Sequence, residues 1–471
     1  MELTDPLAWA QNVLGGAELG DIRRTRRLVA FAASLAQCTG ASIPTACGVS
    51  AAAVEGAYRF ARNDAVDPVD IGEAGFAATV KAIKELEPRV LLAPEDTTTL
   101  SYDHDVDGLG DVGAPSASTT RGILAHSTIL VDGETERTLG LAAQYRWVRN
   151  AAEYGKKHRR KQLPYEQKES FKWQRTAEEM RQRLGPQLMQ RVISVCDREG
   201  DVFAYMANKT THQERFIVRA EWNRNVVEQH EKHHLVEVLH AAPACGEAQV
   251  ELPQRGGRPA RTATLRVTSA RVELMRPATL RGEYPAGIQV NAVLAEELKP
   301  PKGEEPLSWM LLTTEPIATP AEVNQVLKFY RLRWRVEVFH KAWKTGAGVE
   351  RKRLQSAKNL ERIAVVLAFV AVRLLQLREL FQATGEVACD ELLDADTWKL
   401  LWVSVEKTKP PRAAPSAKWA YHAVARLAGW ADTKATGQVG WETLWKGWNR
   451  LQERLEGLRA LKHFQTADLI S

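Results

Sequence analysis

Between residues 89 and 219 the sequence carries a succession of short strand-like runs, and this block limits what the chain can become more than any other feature. The runs are "RVLLAPEDTTTL", "STILVD", "TLGLAAQYRWV", "RVISVCDREGD" and "ERFIVRAEW", rich in β-branched and aromatic residues. Residues before about 70 and from 417 onward read instead as helices. A further strand, "WMLLTT" at 309–314, leads into a helix announced by Thr319-Pro320-Ala321-Glu322, a capping box with proline at the first helical position. That order is mixed α/β. Residues 223–308 alternate more polar strands around "PQRGGRPAR" and read as a β-rich insertion.

At 471 residues the chain has room for two or three cores. Lys and Arg number 64 against 58 Asp and Glu, and the isoelectric point near 9.0 mildly favours a polyanionic partner. Cys38, Cys47, Cys196, Cys245 and Cys389 form no C-x-x-C pair, so neither a disulfide framework nor a zinc ribbon is expected, and a reducing cytosol fits. The N-terminus lacks a signal-peptide pattern, and the best apolar run, Ile363 to Val372, is cut by Arg373 well short of a membrane span. No membrane partner is expected, and a soluble, cytoplasmic chain is. The basic stretch "GKKHRRKQ" at 155–162 suits a solvated loop and a phosphate-contacting one equally.

Two motifs invite metal readings and fail on spacing. "DHDVDG" at 103–108 begins like a calcium loop, but its twelfth position is Ala114 where a bidentate Glu is needed. "HEKHHLVEVLH" at 230–240 matches H-E-x-x-H through His230, Glu231 and His234, yet Glu237 stands where such zinc proteases turn on glycine. A zinc metalloprotease is therefore a distant alternative, and a solvated amphipathic helix the plainer one.

The stretch "YRLRWRVEVFHKAWK" at 330–344 carries one carboxylate among six Lys, Arg and His side chains. At about 100° per residue, Leu332, Val336, Phe339 and Trp343 share a core-facing stripe. Tyr330, Arg333, Glu337, His340, Lys341 and Lys344 share another face, so Glu337 is either half of an intrahelical ion pair or a ligand surrounded by donors. Asp96 and Asp197 each follow an apolar run and are expected where a buried strand emerges. Three such carboxylates can supply the hard oxygen ligands that Mg²⁺ or Mn²⁺ prefers, and two ions about 3.5–4 Å apart suit phosphoryl transfer.

The stretches "LGDIRRTRRL", "EGAYRFARN", "EDTTTLSY", "VCDREGD", "NAVLAEE", "PPKGEEPLSW", "RWRVEVFHKAWKTGAG" and "NLERIAVVLAFVAVRLLQLRE" resemble, over nearly the whole chain, the bacterial cut-and-paste transposases of the DDE family. The family's tyrosine-arginine-glutamate-lysine signature falls on Tyr330, Arg333, Glu337 and Lys344. The resemblance implies a ribonuclease-H-like α/β core, with a β-rich insertion, flanked by helical N- and C-terminal domains. In it Asp96, Asp197 and Glu337 bind two Mg²⁺ ions, with Mn²⁺ able to substitute.

It further implies strand cleavage at transposon ends through a hairpin, then joining of the 3′ ends to target DNA. Arg24 and Arg27 would serve end binding, Arg219 would contact DNA near the cut, and Trp309 would stack where a base is flipped out. Lys341 and Lys344 would face phosphates instead of neutralising Glu337. Three domains are expected: residues 1–70 reading transposon ends, 71–378 forming the core, and 379–471 mediating dimerisation on paired ends. Leu444, Trp448, Leu451, Leu455 and Leu458 form a heptad-spaced seam that suits either a core-facing helix or a contact between two copies. The chain departs from the family member it closely resembles at Ile123 or Leu124, where that member has a tryptophan, and at Gln37-Cys38, where that member has a Lys-Tyr pair. A catalytically silent, DNA-binding inhibitor or domesticated relative is the alternative; the intact carboxylates and the start at Met1 argue against it.

Overall fold

The computed structural model describes residues 5–111, 121–149, 163–252, 260–280, 282, 284–383, 387–431, 433 and 439–468. The basic stretch at 155–162 lies outside them.

The N-terminal helices are α1 (Pro6–Leu14), α2 (Ile22–Gln37), α3 (Ile43–Cys47), α4 (Ala51–Arg62) and α5 (Pro68–Leu86). Each begins where a short polar side chain satisfies an orphan N–H. Asp5 Oδ1 accepts from Leu7 and Ala8 at 2.8 and 3.1 Å, and Asp21, Ser42, Ser50 and Asp67 cap the next four.

The sheet then runs through β1 (Leu91–Ser101), β2 (Gly110–Asp111), β3 (Arg121–Asp132), β4 (Thr138–Trp147), helix α6 (Lys172–Met189), β5 (Val192–Cys196), α7 (Phe203–Thr211) and β6 (Arg215–Arg219). β4, β3 and β1 are antiparallel neighbours, and β1, β5 and β6 are parallel ones. Three antiparallel strands followed by two parallel ones make the ribonuclease-H-like arrangement.

The segment between β6 and β12 (Ser308–Thr313) supplies β7 (Asn225–Glu228), β8 (Glu231–His234), α8 (Leu235–Ala241), β9 (Ala244–Leu252), β10 (Arg261–Met275) and β11 (Gly287–Glu297). These strands do not form a separate sheet. β12 pairs with β6 on one side and β11 on the other, so core and insertion share one hydrogen-bonded sheet.

After the sheet come α9 (Pro320–Arg331), α10 (Trp334–Lys341), α11 (Ala357–Ala383), α12 (Ala395–Glu406), α13 (Ala417–Leu427) and α14 (Trp441–Asp468). The apolar run 363–372 is the buried middle of α11. Among the described residues no helix is long and apolar enough to cross a membrane.

Buried cations on α11 fasten the N-terminal helices to the core. Arg362 donates to the carbonyls of Val66 (2.7 Å) and Ala61 (3.1 Å) and to Asp64 (2.9 Å), and Arg373 donates to the Ala36 carbonyl (3.1 Å). Lys352 donates to the Ala41 carbonyl, and Asn449 to that of Thr39 (2.7 Å). A guanidinium with several fixed acceptors can be buried because its donors are satisfied.

Of the two readings of the heptad seam, four of its five residues take the core-facing one, and Leu458 is half-buried. Leu444, Trp448, Leu451 and Leu455 are buried within the one chain, where α14 packs on α12 and α13. A side chain already fully enclosed has no surface to offer a second copy.

The histidine motif is corrected too. His230 sits at positive φ in the turn between β7 and β8, Glu231 to His234 are strand, and the helix begins only at Leu235. The one-face geometry that H-E-x-x-H needs on a helix is absent, so the protease reading has no site.

Candidate active site

The β1–β5 register puts Glu95 opposite Cys196, so the next residues, Asp96 and Asp197, follow on adjacent parallel strands. Asp197 is where the sequence places it, at the end of a buried strand, capping the turn Arg198–Gly200 by accepting the Glu199 N–H at 2.9 Å. Asp96 is not at a strand end. β1 continues to Ser101, and Asp96 accepts the N–H of its own neighbour Thr97 at 2.7 Å. The strand goes on because β3 pairs with it as far as Ser101, while β5 stops at Cys196 and leaves Asp96 facing the gap.

Glu337 comes from α10, and the expected uniform helix is modified at both its ends. Leu332, Arg333, Arg335 and Val336 donate to carbonyls three residues back, a locally overwound segment. Residues Ala342–Gly346 then form a π-helical turn. The core stripe survives: Leu332, Val336, Phe339 and Trp343 are all buried.

Electrostatics set the character of the cleft. Burial first, and the charge of Asp197 second, push the Asp96 carboxyl up to about 7. Burial also raises Asp197. Arg333 offsets part of this: it donates to Glu337 and its Nη1 lies 3.7 Å from Asp96 Oδ2. The expectation that cations would leave Glu337 unneutralised is therefore corrected, since the one-turn spacing lets Arg333 reach it directly. Among the described residues no three His, Cys, Asp or Glu side chains stand assembled as a ready metal site. The donors nonetheless fit a divalent cation: they are hard oxygens, and Asp96 and Asp197 repel each other with Arg333 as a partial counter-charge.

The other sequence candidates divide into two groups. Tyr330 is buried, its ring edge-to-face with Trp309 at 5.3 Å; burial raises its phenol while the neighbouring Arg219 works against that. Arg219 ends β6 and donates to the Ser308 carbonyl at 2.8 Å, so Arg219, Trp309 and Tyr330 form one cluster. Lys344 lies 3.6 Å from Glu350, which also accepts the Ser101 N–H at 2.8 Å, and Lys341 is exposed. His340, assigned by spacing to the cationic face, is buried instead; that burial, with Lys344 nearby, lowers its pKa to about 3 and keeps it neutral. Arg24 and Arg27 are far along the chain, on α2, lining a cleft of about 700 Å³ with Arg23 and Arg59. Arg24 also donates to the carbonyls of Leu19 (2.8 Å) and Ala65 (3.3 Å).

Sequence reasoning missed the polar cluster beneath Asp96. Glu95 is fully buried and accepts from Tyr205 (3.3 Å), Thr176 (3.3 Å) and Thr128 (3.4 Å). His126 bonds Thr97 at 3.0 Å and lies 3.6 Å from Glu95, and burial lowers its pKa. The available signal was a charged residue inside the buried face of "LLAPED".

A ribonuclease-H-like sheet of three antiparallel and two parallel strands, flanked by helices, is the fold on which DDE transposases are built. Comparison with protein-family models agrees: the transposase DNA-binding model matches residues 6–66 and the transposase DDE domain model matches residues 104–373. The chain belongs to the DDE transposase family.

Proposed function

We propose that this transposase excises a mobile element through hairpin-ended intermediates and joins the freed 3′ ends to target DNA, as the transposase of the kanamycin-resistance composite transposon does, which its sequence resembles. The observation that supports the reading is that Asp96 on β1 and Asp197 just past the end of the adjacent parallel strand β5 lie side by side, with Glu337 linked to Asp96 through Arg333.

In this reading Asp96, Asp197 and Glu337 would hold two divalent cations, Mg²⁺ with Mn²⁺ as a substitute, which when bound would supply activation of the attacking oxygen and stabilisation of the leaving one. Lys341 and Lys344 approach phosphates flanking the scissile bond, and Arg219 and Tyr330 position the strand near the cut. Trp309 offers the part of its ring that Tyr330 leaves open to a flipped base. Water attack nicks one strand, the released 3′ hydroxyl attacks the opposite strand to close a hairpin, and a second water opens it. Residues 1–70 read the transposon ends through Arg24 and Arg27, residues 71–378 perform the chemistry, and residues 379–471 support pairing of two copies on DNA.

The test is a nicking assay on DNA carrying the inverted ends that flank the gene. Asp96→Ala, Asp197→Ala and Glu337→Ala each abolish Mg²⁺-dependent nicking while retaining end binding. Nicking that survives any one of the three changes overturns the assignment.

A further inference from the structure

The chain has fourteen tryptophans, and two of them, Trp222 and Trp334, are exposed. Trp334 borders a cleft lined by Arg331, Arg335 and Arg378. Trp222 stands elsewhere, 62% exposed, on the loop that leaves β6 after Arg219.

That loop is held from below by one side chain. Asp201 has its carboxylate fully buried, and its Oδ2 accepts the N–H of Glu221 at 2.9 Å and of Trp222 itself at 3.2 Å. Its Oδ1 accepts from Arg224 Nε at 2.8 Å, and the same guanidinium donates to the Asp201 carbonyl at 2.6 Å. Ala220 N–H reaches the Met310 carbonyl at 2.7 Å, and Asn223 Oδ1 accepts the Val236 N–H at 2.9 Å. The backbone on both sides of the indole is therefore fixed, so engaging a ligand requires no ordering of the loop.

Asp201 lies four residues after Asp197 in the same turn, and Arg198 Nε is 3.4 Å from Glu221 Oε2. The loop bearing Trp222 and the loop bearing Asp197 are thus one bonded unit at the rim of the carboxylate cleft. The flanking side chains are Arg198, Glu221, Asn223 and Arg224, so the indole is not part of an apolar patch of the kind that docks a protein. A rigid, exposed aromatic face is instead the chemistry that engages unpaired nucleic acid by base stacking; the Arg224 guanidinium is buried on Asp201, and Arg198, with its side chain 55% exposed, is the flanking cation open to a phosphate.

We propose that Trp222 is a stacking platform for an unpaired base of the DNA strand that passes Asp197. The inference rests on the reading of the chain as a DNA-cleaving transposase, and it adds a single-strand contact on the loop bonded to the Asp197 turn, separate from Trp309.

The full-length chain is titrated, without divalent cation, against a fluorescent blunt duplex and the same duplex with a short single-stranded thymine tail. The wild-type chain binds the tailed DNA more tightly. Trp222→Ala loses roughly 5- to 100-fold of that preference, Trp222→Tyr keeps most of it, and blunt-duplex affinity and melting temperature do not change. A 2-aminopurine placed in the tail is quenched by the wild-type chain and not by Trp222→Ala. Equal tail preference in wild type and Trp222→Ala, no tail preference in wild type, or equal loss on both DNAs overturns the platform. A wild-type chain that binds neither DNA refutes the reading of this chain as an active DNA-cleaving enzyme, and the platform with it.

Discussion

Arg333 donates to Glu337 one helical turn ahead of it and stands 3.7 Å from Asp96, so one guanidinium links the helix carboxylate to the strand carboxylate. Any cation entering this cleft competes with Arg333 for the same oxygens. Arg333→Gln is therefore expected to tighten Mn²⁺ binding by roughly two- to fivefold, the equivalent of a partly exposed pair worth about 0.5–1 kcal/mol. Calorimetric titration of Mn²⁺ reads this directly, and unchanged or weaker binding would show that Arg333 supports the carboxylates instead of competing for them.

Arg362 ties α11 to the last turn of α4, through the Ala61 carbonyl, and to Asp64 and Val66 in the segment that joins α4 to α5. Replacing it with methionine leaves two carbonyls without their donor, at a cost of about 2–3 kcal/mol. The expected result is a lower denaturation midpoint together with faster proteolysis between residues 62 and 68. Loss of stability without that local cleavage would place the effect elsewhere.

Lys352 gives a pH dependence with a definite sign. Burial lowers its pKa to about 8 from 10.5, so between those values the folded chain binds fewer protons than the unfolded one. Stability from this group then rises with pH across the window and is flat below it. Wild type should gain on Lys352→Met as pH goes from about 8 to 10, by at most about 1.4 kcal/mol per pH unit. Parallel urea midpoints for the two proteins across that range would refute the shift.

The buried seam predicts a folding defect and no selective pairing defect. Leu451→Ala removes a fully enclosed side chain between α14 and its neighbours and should cost about 2–5 kcal/mol. Thermal melts and paired-end gel shifts on the same preparation distinguish the cases. A variant that melts normally yet fails to pair two ends would return the seam to the interface.

Where periodicity or composition carries the signal, the sequence was readable. The strand runs from 89 to 219, the capped start of α9 and the stripe Leu332, Val336, Phe339 and Trp343 depend on local alternation and burial, and all are present in the fold. Asp96 was misplaced because the polar onset Glu95-Asp96-Thr97 imitates a strand end; the partners that make Glu95 tolerable inside a strand come from Thr128, Thr176 and Tyr205, distant in sequence. The overwound and π-helical segments around α10 shift hydrogen bonds by one residue and leave no compositional mark, so the angular plot placed His340 outward when it is buried. Pairing of Lys344 with Glu350 was hidden for the same reason.

Because β12 is zipped to β6 on one edge and to β11 on the other, the insertion is not a flap on a hinge. Swinging it would mean unfastening a ladder of backbone bonds, so the sheet from β4 to β10 acts as a stiff anvil. The helix that carries Glu337 is built differently: its hydrogen-bond ladder is tight at Leu332–Arg333 and widened at Ala342–Gly346, so its two ends depart from the regular α-helix in opposite senses. Glu337 thus stands on the one short regular stretch between two irregular ones, while Asp96 stands on a strand paired on both sides up to its neighbour Glu95.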